Sequence, residues 1–234
     1  MKRFVFAVLA SVMTLAALRA GIVEDFYLEP ERVAAHVDSV VAATPADSLP
    51  GLLQQVDDLF FEPLSPTYCE GIAALYLRAT LPRLTDEIEI DIARWKLNEV
   101  CLLNAEGTPA ADFTFDLFGG PRNVTMSRYL KGQPLCLIFY DPDCSHCAEV
   151  IKELGELSRL VNVLAVCVES TPKRWEETCG SLPRGWGRAF DSGNLVETES
   201  YMIRSYPSIY LLDADRNVVL KNPSASRLLN HLSQ

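Results

Sequence analysis

Leu135-Cys136-Leu137-Ile138-Phe139-Tyr140-Asp141-Pro142-Asp143-Cys144-Ser145-His146-Cys147-Ala148-Glu149 opens as an uninterrupted apolar run. Such a run predicts a strand buried on both faces. Pro142 and its flanking aspartates stop it. A helical pattern starts at or near Cys144 and continues through Val150, Ile151, Leu154 and Leu157. Two cysteines separated by two residues therefore sit where a strand turns into a helix.

That location has chemical meaning. The first cysteine falls at the helix N-terminus, where unpaired N–H groups and the dipole favour negative charge. A thiolate is the nucleophile of disulfide exchange, so Cys144 is the expected attacking group. Cys147 lies one turn on, beneath it, where it can close a disulfide or resolve a mixed one. His146 lies between them, and its imidazolium would stabilise the Cys144 thiolate and make the pair more oxidising. A lone Cys-x-x-Cys is also half of many zinc sites. A second such pair at ligand spacing is missing here, so the reading is a redox pair with no metal and no cofactor.

Residues 139–147 resemble the active site of thioredoxin-fold proteins, in particular the TlpA-like thiol-disulfide oxidoreductases of the bacterial envelope. Ala110-Ala111-Asp112-Phe113-Thr114-Phe115 resembles the first strand of that family. Leu130-Lys131-Gly132-Gln133-Pro134 resembles its lead-in to the active-site strand, and Tyr206-Pro207-Ser208-Ile209-Tyr210-Leu211-Leu212-Asp213 the segment carrying its cis-proline. These stretches keep the family's order. The resemblance implies an α/β thioredoxin fold over residues 106–234, a central mixed sheet with helices on both faces. It implies that Pro207 is cis and sits against a redox-active Cys144–Cys147 disulfide, and that Tyr206 offers backbone hydrogen bonds to a substrate chain, with Ser145 beside it.

The chain departs from the pattern in places. Thioredoxins carry a buried carboxylate six residues before the first cysteine, where this sequence has Ile138. Many TlpA-like members carry a glutamate three residues after the second cysteine, where it has Val150. Glu149, Asp141 or a water is left to deprotonate Cys147. A Ser-His dipeptide in place of Gly-Pro moves the expected potential from about −270 mV towards about −200 mV or higher.

Residues 1–20 read as a secretory signal: Lys2 and Arg3, an apolar stretch over 4–18, then Ala20. An uncleaved membrane anchor is the alternative, because Leu18-Arg19-Ala20 is an imperfect cleavage site. The full chain has 21 basic and 31 acidic residues. Removal of the signal, with Lys2, Arg3 and Arg19, leaves 18 basic residues and a net charge of −13. That argues against nucleic acid as a partner. Of the seven cysteines, Cys136 and Cys167 fall inside apolar strand patterns and read as buried and inert. Cys69 and Cys101 read as a bridge or as two buried thiols, and Cys179 is left over.

Residues 21–105 show helical periodicity and predict a small all-α bundle. Pro30 opens a helix with Val33, Val37, Val40 and Val41 on one face. A second carries Leu49, Leu52, Leu53, Val56, Leu59 and Phe60. Ser65-Pro66 starts a third, with Tyr68, Ile72, Leu75, Tyr76 and Ala79 inward. Thr85 caps a fourth, with Ile88, Ile92, Trp95 and Leu102 inward. This segment resembles the helical domain of unknown function that precedes many TlpA-like domains. Further on, a hairpin follows Phe113, a second buried strand spans 161–168, and a short helix is expected around 197–204. A hairpin across Asp213 and Asn217 then leads to a last helix from Ser224 to Leu232.

The functional expectation is a periplasmic thiol-disulfide oxidoreductase. Its partners would be protein thiols or disulfides in the cell envelope and a further redox partner. Two alternatives stand beside it. One is a redox-inactive module that docks partners through its helical domain. The other is a peroxiredoxin-type peroxidase, whose chemistry wants a threonine three residues before the reactive cysteine, where this chain has Asp141.

Overall fold

The computed structural model describes residues 21–193 and 195–233; the expected export signal lies outside them. The chain forms two compact units that divide between Leu102 and Leu103.

The first unit is helical throughout its regular structure. It opens with α1 (Ile22–Leu28), a helix that the periodicity does not announce. In α2 (Pro30–Ala43) the fixed φ of Pro30 suits the first turn, and Val33, Val37 and Val41 are buried. Next, α3 (Leu49–Val56) runs into a π-helical turn, Asp57–Phe61. The extra residue of that turn shifts the buried face, so Phe60 and Phe61 both point inward.

Two boundaries differ from expectation, each for a local reason. Helix α4 (Glu70–Thr80) starts at Glu70, not at Ser65-Pro66. The Ser65 hydroxyl is spent on a turn, donating to the Leu59 carbonyl at 2.6 Å. Helix α5 (Glu87–Trp95) is capped by Asp86 rather than Thr85. One Asp86 oxygen accepts from the N–H groups of Ile88 and Glu89 at 3.0 and 3.1 Å. The face expected inward is also corrected. Ile88, Ile92 and Trp95 are exposed by 71%, 49% and 47%, while Ala93, Leu97, Val100 and Cys101 are buried. Three of these buried residues lie beyond the end of α5, in the π-helical turn Lys96–Cys101, and α-helical periodicity alone does not foresee the change of face there.

The second unit holds a mixed sheet of seven strands in the order β2-β1-β5-β4-β3-β6-β7. The strands are β1 (Thr114–Leu117), β2 (Val124–Thr125), β3 (Leu135–Tyr140), β4 (Asn162–Cys167), β5 (Gly187–Asp191), β6 (Ser208–Leu212) and β7 (Val218–Lys221). Three helices join them: α6 (Ser145–Glu153), α7 (Pro172–Thr178) and α8 (Ala225–Leu232). Strand β3 pairs in parallel with β4 and antiparallel with β6, and all six of its residues are buried. Because side chains alternate along a strand, it feeds two cores. Cys136, Ile138 and Tyr140 join Val163, Ala165 and Cys167 of β4 beneath Leu154, Trp175 and Leu228. On the other face Leu135, Leu137 and Phe139 pack with Phe113, Phe115, Leu195 and Tyr201. Each large side chain so buried is worth about 1.5–3 kcal/mol.

Strand β5 is absent from the sequence expectation. Its residues, Gly187-Arg188-Ala189-Phe190-Asp191, have no long apolar run; they are extended because β4 and β1 pair with them on both sides. The helix expected at 197–204 is instead a set of turns. Tertiary bonds hold them: the Tyr201 hydroxyl donates to the Ala111 carbonyl at 2.7 Å, and the Asn104 amide donates to the Ser200 carbonyl at 2.8 Å. Helix α6 ends at Glu153, and Leu157 belongs to a separate 3₁₀ turn.

Bonds from both directions fasten the lead-in to β3. Arg216, in the β6–β7 turn with φ +69°, is 7% exposed. Its guanidinium donates to the carbonyls of Gln133 and Leu130 at 2.6 and 3.0 Å and to that of Tyr129. Residues 103–107 belong to this unit through bonds to β7: Gly107 N–H to the Val218 carbonyl (2.8 Å) and Lys221 Nζ to the Leu103 carbonyl (2.7 Å).

Candidate active site

The site begins where β3 ends. After Tyr140 the chain turns through Asp141, whose carboxylate accepts the Asp143 N–H at 2.9 Å and whose carbonyl accepts the Cys144 N–H at 3.2 Å. Pro142 lacks an N–H and cannot extend the ladder. These two bonds turn the backbone from strand to helix and leave Cys144 as the cap of α6. Its Sγ accepts the Cys147 N–H at 3.3 Å, the place a Ser or Asp oxygen takes in an ordinary cap. An anion at this sulfur would meet that N–H and the positive end of the helix together.

The two cysteines differ sharply in exposure. Cys147 is 1% exposed and lies in the core with Tyr140 and Ile209, whereas Cys144 is half-buried at its edge. Both are free thiols in this structure. Burial is the main cause that pushes the Cys147 thiol from its ordinary value of 9.0 up to about 12, and the neighbouring Cys144 acts in the same direction.

The antiparallel register of β3 and β6 pairs Phe139 with Ser208. It therefore sets the residues just before Ser208 beside the end of β3. The Tyr206–Pro207 peptide is cis. The Tyr206 carbonyl lies 3.8 Å from the Cys144 Sγ, within reach of its S–H. So the structure brings Cys144, Cys147, Tyr206 and Pro207 together from segments about sixty residues apart. Burial first, then the charges of Glu169 and Asp141, push the Tyr206 phenol's pKa up.

Ser145 and His146 occupy the exposed first turn of α6. The His146 side chain is 57% exposed and its Nδ1 lies 4.0 Å from Glu149 Oε2. Any charge on it is shared with that carboxylate and screened by solvent. Glu149, one option for deprotonating Cys147, has a side chain 82% exposed. Asp141, another option, acts on Cys147 by its charge, which raises the thiol's pKa.

Sequence reasoning missed Arg174. It stands on α7, thirty-one residues from its partner, and donates to the Asp143 carboxylate through both Nε and Nη2. That pair holds Asp143 below its ordinary carboxylate value and pins the turn immediately before Cys144. A surface arginine in a stretch without clear periodicity gives no sign of such a contact. Among the described residues no group of three or more His, Cys, Asp or Glu is placed to hold a metal ion.

No family model and no curated protein matches the chain. Solved structures do. A thioredoxin-like protein from Bacteroides caccae superposes with a TM-score of 0.69 over 89% of this chain and 86% of its own, at 20% identity. The C-terminal domain of an uncharacterised protein from Bacteroides fragilis gives a TM-score of 0.51 over 56% of this chain and 99% of its own, at 24% identity. A conserved protein of unknown function from Bacteroides fragilis is 36% identical over 54% of this chain and 98% of its own, with a TM-score of 0.48. The fold is therefore thioredoxin-like, with a helical region before it. The resemblance read from the sequence is borne out as to the fold.

Proposed function

We propose that this protein is an exported thiol-disulfide oxidoreductase that exchanges disulfides with protein substrates through Cys144 and Cys147. One observation carries the reading: a half-buried sulfur caps a helix and accepts an N–H, with a second, fully buried thiol one turn behind it. A structural pair would have no reason to keep one member at the surface.

The chemistry follows from the geometry. The Cys144 thiolate attacks one sulfur of a substrate disulfide, the substrate S–S bond breaks, and the departing sulfur takes up a proton. Cys147 then loses its proton and attacks Cys144 Sγ. The mixed disulfide breaks, the second substrate thiol leaves, and the Cys144–Cys147 disulfide remains. Two electrons pass from protein to substrate, and the reverse sequence oxidises a dithiol. The Tyr206 carbonyl, next to the reacting sulfur, and the exposed Ser145 and His146 form the surface a substrate chain meets. No helix of the described residues is long and apolar enough to cross a membrane. Export to the periplasm rests on the reading of residues 1–20.

The test is substitution of each cysteine. Reduced wild-type protein should convert a model disulfide stoichiometrically, Cys144→Ser should not react, and Cys147→Ser should stop at a mixed disulfide visible by mass. Equal turnover in all three would refute the proposal. Hydrogen peroxide as sole oxidant, consumed faster than any disulfide, would favour the peroxidase reading instead.

A further inference from the structure

Helix α5 keeps its large apolar side chains outside. Ala93 is its single buried residue, while Ile88, Ile92 and Trp95 are exposed. Scattered exposed apolar residues are ordinary. These three are not scattered, because spacings of four and three set them along one face of the helix, a stripe about 10 Å long. Of the eight large apolar side chains exposed among the described residues, three stand on this one helix. Apolar residues gathered in this way inside a polar rim mark a surface that another molecule covers.

The rim decides the partner's charge. Glu87 and Glu89 stand on either side of Ile88 in the sequence, and Glu99 lies in the turn beyond Trp95. The two cations of this stretch are already engaged, Arg94 with Asp91 and Lys96 with Asp57. Glu87, Glu89 and Glu99 form no such pair among the described residues. The imbalance extends to the whole helical unit. Residues 21–102 hold 15 acidic and 5 basic residues, a net charge of −10, whereas residues 103–234 hold 16 and 13, a net charge of −3. A second copy of this face, or an anionic lipid surface, would meet like charge here. A cationic partner meets opposite charge beside an apolar seam.

We propose that the Ile88, Ile92 and Trp95 face of α5 docks a cationic amphipathic helix of another protein. The apolar residues of that helix, repeating at spacings of three and four, lie along the stripe, and its lysines or arginines reach Glu87, Glu89 and Glu99. The inference stands whether or not Cys144 and Cys147 exchange disulfides with a substrate.

The experiment uses the exported protein with both units intact. The probe is a synthetic helical peptide of leucine and lysine, its leucines at spacings of three and four. Trp95 is the reporter: it is half-exposed, whereas Trp175 and Trp186, the other two tryptophans, are buried, so acrylamide quenching follows Trp95. The peptide should bind saturably and shield Trp95 from the quencher. Ile88→Gln combined with Ile92→Gln, at exposed positions and with a good helix former, should weaken binding about tenfold or more. Glu87→Gln, Glu89→Gln and Glu99→Gln together should weaken it about tenfold and remove most of its salt dependence. Circular dichroism matching the parent checks that each variant folds, and if one does not, the peptide comparison on the parent protein decides. Absence of binding, equal binding of a leucine–glutamate or a serine–lysine peptide, or full affinity in both sets of variants would each overturn the assignment. So would shielding of Trp95 by anionic phospholipid vesicles in place of the peptide, or by a concentration-dependent dimer that the paired isoleucine substitutions abolish.

Discussion

The resolving step should be steeply pH-dependent, because Cys147 is a buried thiol. It is 1% exposed, and its pKa is pushed up to about 12. Against the ordinary 9.0 that corresponds to about 4 kcal/mol in favour of the neutral thiol. The leading cause is burial, which persists in the mixed disulfide. The contributions from Cys144 vanish there, since its sulfur no longer carries a proton or a charge, so Cys147 deprotonates more easily once the first half-reaction is complete. Its value still lies above the assay range, and the thiolate fraction, hence the rate of release, should rise about tenfold per pH unit. Between pH 7 and pH 9 the release step should accelerate about a hundredfold. The assay is rapid quench with acid, with the mixed disulfide and the oxidised protein separated by mass. A release rate that is flat over those two units would refute the reasoning. It would show that a neighbouring group takes the proton as the S–S bond forms, and Asp141→Asn would then be the variant that restores the slope.

Three further outcomes follow from the packing. Cys136 is fully buried and burial pushes its thiol up to about 12, so the folded state keeps a proton that the unfolded state releases above 9.0. The corresponding stability is fully present below pH 9 and is lost as pH rises towards 12, at about 1.4 kcal/mol per unit; Cys136→Ala should flatten the alkaline slope of denaturant unfolding by that amount. Arg216→Ala strips donors from the carbonyls of Tyr129, Leu130 and Gln133 and should cost about 3 kcal/mol in chemical denaturation, whereas Lys at this position should recover part of it. Asp86→Ala removes the acceptor of two N–H groups at the start of α5 and should lower the stability of the helical unit by about 1 kcal/mol, read by urea titration of helical circular dichroism.

Local signals in the chain were enough for the centre of the second unit. The run Leu135–Tyr140 reads as a doubly buried strand because its burial needs no partner to be inferred, and the break at Pro142 places Cys144 at a helix start. Asp213 and Asn217 were legible as turn residues, and Asp213 indeed accepts the N–H groups of Asp215 and Asn217 at 2.9 and 2.8 Å. What escaped reading was decided at a distance. Strand β5 exists because β4 and β1 pair with it, the 197–204 segment is held in turns by Asn104 and Ala111, and the buried face of α5 and the π-helical turn after it was selected by the surfaces available to it. The same holds for the site. Two cysteines at spacing three can be read from the sequence as neighbours, because one helical turn is a local distance. The inequality between them, one sulfur at the edge and one sealed beneath it, arises only when α6 and the last helix pack on the sheet face formed by β3 and β6. Arg174 on Asp143 joins positions 31 residues apart, where periodicity carries no information, since it reports which face of an element is apolar and not what that face meets.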